Sequence, residues 1–327
     1  MFDVIIVGGG VAAFSAAIFT SRRGLKTLVI GKDIAGQANY TDEIQNFPGI
    51  PQTGGFELVA KIRSQAEKFG AQFLQAEVSK ISARGGSASG GKSDQFFIVT
   101  AYSKQYKAES LILAYGNTPR DLNVPGEQEM KGKGITYCAT CDAPLFKNKV
   151  VAVAGIGDLA TDAGLLSAKY AKKVYILSKT DKFVASLALT KALFKKKNVE
   201  LVPNIQIQQI LGQEKLTALQ LINLKTHQHY ELPVDGLFVE LGYVVDSKIV
   251  KNIVKLDEQE QIIVDANQAT SIPGIFAAGD ATNRTYKQAV ISAGQGAAAG
   301  LACYDWLMHC RGQIGLSSDW TQIKRIK

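Results

Sequence analysis

Asp3-Val4-Ile5-Ile6-Val7-Gly8-Gly9-Gly10-Val11-Ala12-Ala13 opens the chain with a short apolar strand and a glycine-rich turn. A small-residue helix from Phe14 to Arg23 and a second strand, Lys26-Thr27-Leu28-Val29-Ile30, follow. In such a strand–turn–helix–strand unit Gly8 permits the tight turn and Gly10 lets the backbone approach a pyrophosphate. Ala13 allows close helix–strand packing, and Val11 and Ala12 complete the loop before a helix whose N-terminus faces the phosphates. A glycine fingerprint alone is weak. In this setting it fixes a dinucleotide-binding unit. The carboxylate expected for a ribose hydroxyl is not evident, because the second strand ends Ile30-Gly31-Lys32-Asp33 and Asp33 comes late.

The same unit returns in the middle of the chain. Val150–Ala154 leads into Gly155-Ile156-Gly157-Asp158-Leu159-Ala160, a helix to about Tyr170, and the strand Lys173–Leu177. Two copies imply two nucleotide-type ligands or one lost site. The fold class is therefore α/β, with two Rossmann-like three-layer nucleotide-binding domains. Residues 54–77 read as a helix and a return strand, residues 83–94 as a flexible hairpin tip, and 95–113 as antiparallel strands. Gly242 ends the second domain. The closing segment Thr270–Asp280 returns to the first, followed by a small-residue helix from Gln288 to roughly Leu307.

Between the two units lies Tyr137-Cys138-Ala139-Thr140-Cys141-Asp142. A two-residue gap allows a tight disulfide that opens and closes without remaking the fold. A helix starting at or near Cys141 would favour a thiolate there, the form that attacks disulfides. The chain has four cysteines, too few for a disulfide scaffold, and the others, Cys303 and Cys310, read as small hydrophobes on a helix. A zinc site would need a second ligand pair. His227 and His229 are more readily surface polar residues near a hairpin than metal ligands.

Of 327 residues 46% are hydrophobic and 20% charged, as in ordinary globular chains. No apolar run approaches the roughly 20 residues that span a bilayer. Met1-Phe2-Asp3-Val4-Ile5 runs straight into a strand without a basic leader, so a cytoplasmic protein is expected. The net charge of +8, with clusters at Lys195–Lys197 and Lys324–Lys327, reads most simply as solvated lysine surface. Its sharper readings are steering of an acidic electron-transfer protein and peripheral contact with an anionic membrane surface. Nucleic acid is not indicated, because no recognition motif accompanies the charge.

Five segments together resemble the low-molecular-weight thioredoxin reductases over essentially the whole chain. They are the Gly8–Ala13 loop, Gly36-Gln37 with Asn46-Phe47-Pro48-Gly49, Cys138–Asp142, the second glycine loop, and Gly279-Asp280 with Tyr286-Lys287-Gln288-Ala289. The resemblance implies an FAD domain made of residues 1–116 and 246–327 and an inserted NAD(P)H-like domain at 117–245 that carries the cysteines. It implies that Asp280 holds the ribityl chain and Gln288-Ala289 faces the flavin pyrimidine, with Gly116 and Gly279 also in the first site. Gln37 and Asn46 would lie along the isoalloxazine. Cys141 would approach the flavin, Cys138 would exchange with an outside disulfide, and Asp142 would give and take the proton. A homodimer is implied as well.

The second domain departs from that pattern. Family members that use NADPH carry an arginine-rich cluster after the second strand of this unit, gripping the 2′-phosphate by charge-assisted bonds. Here the run is Leu177-Ser178-Lys179-Thr180-Asp181-Lys182-Phe183-Val184-Ala185-Ser186, with only Lys179 and Lys182 to compensate. Lysine lacks the bidentate fork. Tyr115 and Tyr243-Val244-Val245 also replace a usual Thr and a Pro-containing turn. The expectation is thus a flavin-dependent disulfide oxidoreductase most like the diflavin-linked branch. It would not use NADPH, and a second FAD would sit on Gly155, Gly157, Asp158, Leu159 and Ala160. The alternatives are an NADPH-dependent thioredoxin reductase, a ferredoxin-linked one and a flavin redox sensor. Trp320, in a polar tail, is a candidate for stacking on a flavin or a neighbouring subunit.

Overall fold

The structure, a computed structural model, describes residues 1–40, 43–84, 96–181 and 184–315. It divides into two compact units. One comprises Met1–Ala38, Phe56–Asn117 and the chain from Val245 onward; the other comprises Asn39–Gly55 and Thr118–Val244.

In the first unit five parallel strands lie side by side in the order Gln72–Gln75, Thr27–Gly31, Phe2–Val7, Lys104–Leu113 and Ile275–Ala277. The long Lys104–Leu113 strand also turns back through Phe96–Ala101 to Val78–Arg84 as an antiparallel meander. Ile5, Val7, Leu28, Ile30, Leu111 and Leu113 point into one core with Phe97 and Val99 of the meander. The alternate residues Val4, Ile6, Val29 and Ile112 are equally buried on the other face. Successive side chains along a strand point to opposite faces, so a sheet covered on both sides needs an unbroken apolar run. That requirement explains Val4–Val7.

The helix Val11–Arg22 packs against the closing helix Ala289–Cys310 through small residues. A Cβ on Gly296 would stand 2.2 Å from the Ala12 carbonyl oxygen, and one on Gly300 2.9 Å from that of Ala16. The Ser15 hydroxyl donates to the Ala293 carbonyl at 2.6 Å. The Gly–Ala composition of both helices is thus the condition for their close approach, which sets the first glycine loop beside Gly279.

The second unit repeats the scheme. Its parallel strands run in the order Val199–Val202, Lys173–Leu177, Val150–Ala154, Gly236–Val239 and Ile135–Thr136. The antiparallel meander is Ile205–Gly212, Leu216–Asn223 and His229–Pro233. Ala152, Ala154, Leu237 and Val239 face the meander core of Ile205, Leu219 and Leu221. Val151, Val153, Ile176 and Phe238 face the helix side with Ala160, Ala163 and Leu193. Each buried branched side chain contributes roughly 2 kcal/mol, which is how strands of four or five residues hold a three-layer unit.

Several details correct the sequence reading. The first helix begins at Val11 rather than Phe14, the second glycine loop's helix ends at Ser167, and the closing helix runs on to Cys310. Asn39–Gly55, expected with the first domain, groups with the second unit. It carries local bridges of its own, Ile44 with Thr53 and Phe47 with Ile50. The tip at 85–95, Lys182, and the tail with Trp320 lie outside the described residues. No helix among the described residues is long and apolar enough to cross a membrane.

Gly8 has φ +132°, and a Cβ there would lie 2.2 Å from the Ala114 carbonyl oxygen. Backbone cannot yield as a side chain can. Gly8→Ala is expected to cost about 3 kcal/mol through strain and overpacking, seen as a lower urea midpoint; an unchanged midpoint would contradict this packing.

Candidate active site

Cys138 and Cys141 are joined in a disulfide, and both are half-buried. The edge strand Ile135–Thr136 pairs with Leu237 and Phe238 and delivers the chain to Tyr137. The four-residue helix Ala139–Asp142 follows, with Cys138 as its N-cap. Beyond it Phe146 lies over Gly236, where a Cβ would meet its ring at 2.2 Å, and meets Phe238 edge-on at 5.2 Å between centroids. The cysteine segment is therefore pinned to the sheet before and after the disulfide. The helix begins at Ala139 and not at Cys141, so the N-terminal position belongs to Cys138. Its sulfur accepts the Cys141 N–H at 3.2 Å. A thiolate at Cys138 would receive that bond and the favourable end of the helix dipole.

Asp142 is buried in the same helix. Its carboxylate accepts the Thr136 hydroxyl, and that hydroxyl accepts the Cys138 N–H at 3.1 Å. Thr136 thus links the cysteine backbone to the acid, a role the sequence reading missed. Tyr137 is fixed from two directions. Its phenol oxygen lies 2.9 Å from Asp121 and 3.0 Å from Glu127 and shares its one proton between them, while its carbonyl accepts the Tyr243 phenol at 2.6 Å. Burial and the neighbouring Glu127 and Asp121 push the Tyr137 phenol up, keeping it a donor. Burial also acts to raise Asp121, but bonds from Lys131, Tyr137 and Gln128 outweigh it and hold that carboxyl below its ordinary range. Tyr243, read as a departure from the family pattern, is thus a structural partner of the cysteine segment.

The first glycine loop and Asp280 stand in the other unit. Gly10 caps the Val11–Arg22 helix with no side-chain hydrogen bond, and Val11, Ala12 and Ala13 are buried behind it. A Cβ on Gly10 would find its nearest neighbour 3.9 Å away, so the loop's face is open for a ligand while Gly8 and Gly9 press on backbone. The Asp280 carboxylate accepts the Ser292 hydroxyl at 3.0 Å and the Gln37 amide at 3.4 Å. Gln37 also donates to the Asn117 carbonyl at 3.0 Å and to its side chain. Burial raises the Asp280 carboxyl, opposed by Ser292 and Lys287; burial lowers the Lys287 amine, opposed by Asp280 and Asp257. The Gly279 N–H donates to Gln295 at 2.8 Å, and Gln288 is the N-cap residue of the Ala289–Cys310 helix. An open glycine cradle and a buried carboxyl for hydroxyl groups together fit a dinucleotide. Asn117, Ser292 and Gln295 were not expected. Gly116 has φ +72° next to Asn117, whereas Asn46 is exposed in the Asn39–Gly55 segment of the other unit.

The second glycine loop has Gly155 at φ +153°, pressed on the Glu240 carbonyl and on Ala160. Gly157 caps its helix, again with no side-chain bond. Asp158 occupies the first helical position and accepts the Ser186 N–H at 2.9 Å, while Val184 N–H bonds to the Ile156 carbonyl at 2.9 Å. The stretch 184–186 therefore rests on the loop. Leu159 is exposed and Ala160 is buried. Lys179 is exposed, and Asp181 pairs with Lys225 at 3.2 Å.

Residues 2–296 match the pyridine nucleotide-disulphide oxidoreductase family. The chain belongs to that family. It is 37% identical over 302 residues to a thioredoxin reductase of Listeria innocua, covering 92% of each chain. It is 35% identical to an NADH dehydrogenase of Bacillus subtilis, with 94% of this chain against 59% of that one. A solved thioredoxin reductase from Streptococcus pyogenes superposes with a TM-score of 0.86 at 31% identity, covering 94% of this chain and 99% of that one. This member of the family is a thioredoxin reductase-like flavoprotein disulfide oxidoreductase. The comparisons do not bear out its assignment to a diflavin branch that dispenses with NADPH; they favour the alternative reading, a thioredoxin reductase that uses it.

Proposed function

We propose that the protein is an NADPH-dependent thioredoxin-disulfide reductase with Cys138 and Cys141 as its redox pair. The observation that carries this reading is a closed disulfide at a helix start, beside a buried acid, on a chain similar along 92% of its length to a thioredoxin reductase. FAD, when bound, supplies the two-electron chemistry. Gly8, Gly10, Val11, Ala12 and Ala13 would hold its pyrophosphate, and Gln37, Gly116, Gly279, Asp280, Gln288 and Ala289 its ribityl and ring parts. NADPH would take the Gly155–Ala160 loop, with Lys179 toward its 2′-phosphate.

Opening the disulfide takes up two electrons and leaves a thiol at one cysteine and a thiolate at the other. Cys138, bonded to the Cys141 N–H, is the better thiolate and attacks the partner's disulfide. Cys141 then closes on the mixed disulfide and releases the reduced partner. Asp142, held by Thr136, carries the proton to the leaving thiolate. The partner is a protein disulfide of the thioredoxin class, and the basic surface steers an acidic one. The expected assembly is a cytoplasmic homodimer.

A second reading has one specific observation in its favour. The stretch 178–186 contains no arginine, and Asp181 adds a negative charge there. This reading places a second FAD on the Gly155–Ala160 loop and removes NADPH. Flavin per chain after heat release, with and without added FAD, and anaerobic titration with NADPH and NADH separate the two. One FAD per chain, bleached by NADPH, is expected. Two FAD per chain, untouched by either nucleotide, would replace the first reading by the second.

A further inference from the structure

Glu240 ends the strand Gly236–Val239 and stands beside both the second glycine loop and the cysteine helix. Its N–H donates to the Ala154 carbonyl at 2.9 Å. Its own carbonyl oxygen presses on Gly155, where a Cβ would lie 2.6 Å away. Its carboxyl accepts the backbone N–H of Ala139, the residue after Cys138. Three residues on, the Tyr243 phenol donates to the carbonyl of Tyr137, the residue before Cys138. One turn, 240–243, therefore grips the peptides on both sides of the first redox cysteine. We propose that Glu240 is a positioning residue for the Cys138–Cys141 pair and that its protonation is linked to the opening of the disulfide. This rests on the reading of that pair as the redox centre.

The physical basis is charge. The groups that face the Glu240 carboxyl are the Ala139 N–H from the cysteine helix and the Asp162 carboxylate from the Asp158–Ser167 helix; Ala154 and Gly155 meet Glu240 through backbone. Burial, with a further push from Asp162, raises the carboxyl to about 8, against the Ala139 bond. That value belongs to the oxidised pair present here. Opening the disulfide places a thiolate next to Ala139, and like charge raises the carboxyl further. Above pH 8 the reduction then balances as follows. The S–S bond breaks, two electrons and two protons are taken up, and the products are one thiol, one thiolate and a carboxyl that has recovered its proton. Below pH 8 Glu240 holds its proton in both states and adds nothing. The linkage therefore disfavours reduction only as pH rises beyond about 8.

The test equilibrates holoenzyme with mixtures of reduced and oxidised dithiothreitol between pH 6.5 and 9, traps thiols by alkylation, and counts them by mass. Wild type is compared with Glu240→Gln, whose amide oxygen still accepts the Ala139 N–H but does not titrate. The ratio of the two exchange constants is expected to be level below pH 8 and then to fall against wild type, by up to about tenfold per pH unit. Asp162→Asn, which removes the facing charge, is expected to move the break to lower pH. A ratio constant over the whole range, or an offset equal at every pH, would overturn the linkage while leaving the redox pair intact. Failure of the wild-type disulfide to exchange at all would overturn the proposed function and this inference with it.

Discussion

Cys138→Ser is expected to lower turnover with a thioredoxin-type disulfide by at least about a thousandfold while flavin stays bound. Removing a nucleophile that acts as one unit with its partner removes nearly all of the rate it supports. Cys138 is the proposed nucleophile: it caps its helix, and its sulfur receives the Cys141 N–H. Without it Cys141 has no disulfide partner, so the enzyme can neither store the electron pair nor form and resolve a mixed disulfide. The residues proposed to hold FAD all belong to the other unit. Flavin content is therefore expected at the wild-type level. The check is a thioredoxin-coupled assay beside the flavin absorbance of the same sample; turnover within tenfold of wild type would remove Cys138 from the mechanism.

Asp142→Asn is the second large effect, with a loss of about a hundred- to a thousandfold in disulfide turnover. The carboxylate is buried within a residue of Cys141 and is oriented by the Thr136 hydroxyl, which is itself tied to the Cys138 N–H. An amide keeps the volume and can still accept the hydroxyl, but it moves no proton. Thr136→Val leaves the acid and loses only its orientation, so its expected loss is about tenfold. Rapid mixing of the reduced enzyme with an oxidised partner measures the step directly. Equal losses in the two variants would contradict proton transfer by Asp142, because removing the acid would then cost no more than removing its orientation.

Much of the fold was legible because its signals are local. Val4–Val7 and Val150–Ala154 are continuous apolar runs followed by glycine turns, and the pattern follows from sheets covered on both faces. The cysteine pair and Asp142 were legible for the same reason, lying within five consecutive residues. The start of the cysteine helix was not: four residues carry no periodicity, so nothing in the sequence distinguished a start at Ala139 from one at Cys141. Asn117, Ser292 and Gln295 reach their partners across long sequence separations, or across a helix turn whose facing cannot be read from a single polar residue. Glu240 looked like one more strand-end residue; only the pairing that sets Gly236–Val239 between Val150–Ala154 and Ile135–Thr136 brings it to Ala139. Asn46 was assigned through a motif, and its segment groups with the second unit. The missing arginines after Leu177 were plain from composition, but the pairing of Asp181 with Lys225 required the fold.

The most direct measurement is thiol trapping under anaerobic reduction. The holoenzyme is reduced by NADPH, or by light with a sacrificial donor, and quenched with an alkylating reagent as the flavin absorbance changes. Labels on both Cys138 and Cys141, appearing in step with flavin bleaching and lost again on adding an oxidised thioredoxin-type protein, are the predicted result. A bleached flavin with Cys138 and Cys141 still joined would contradict the central claim that this disulfide exchanges electrons with the flavin.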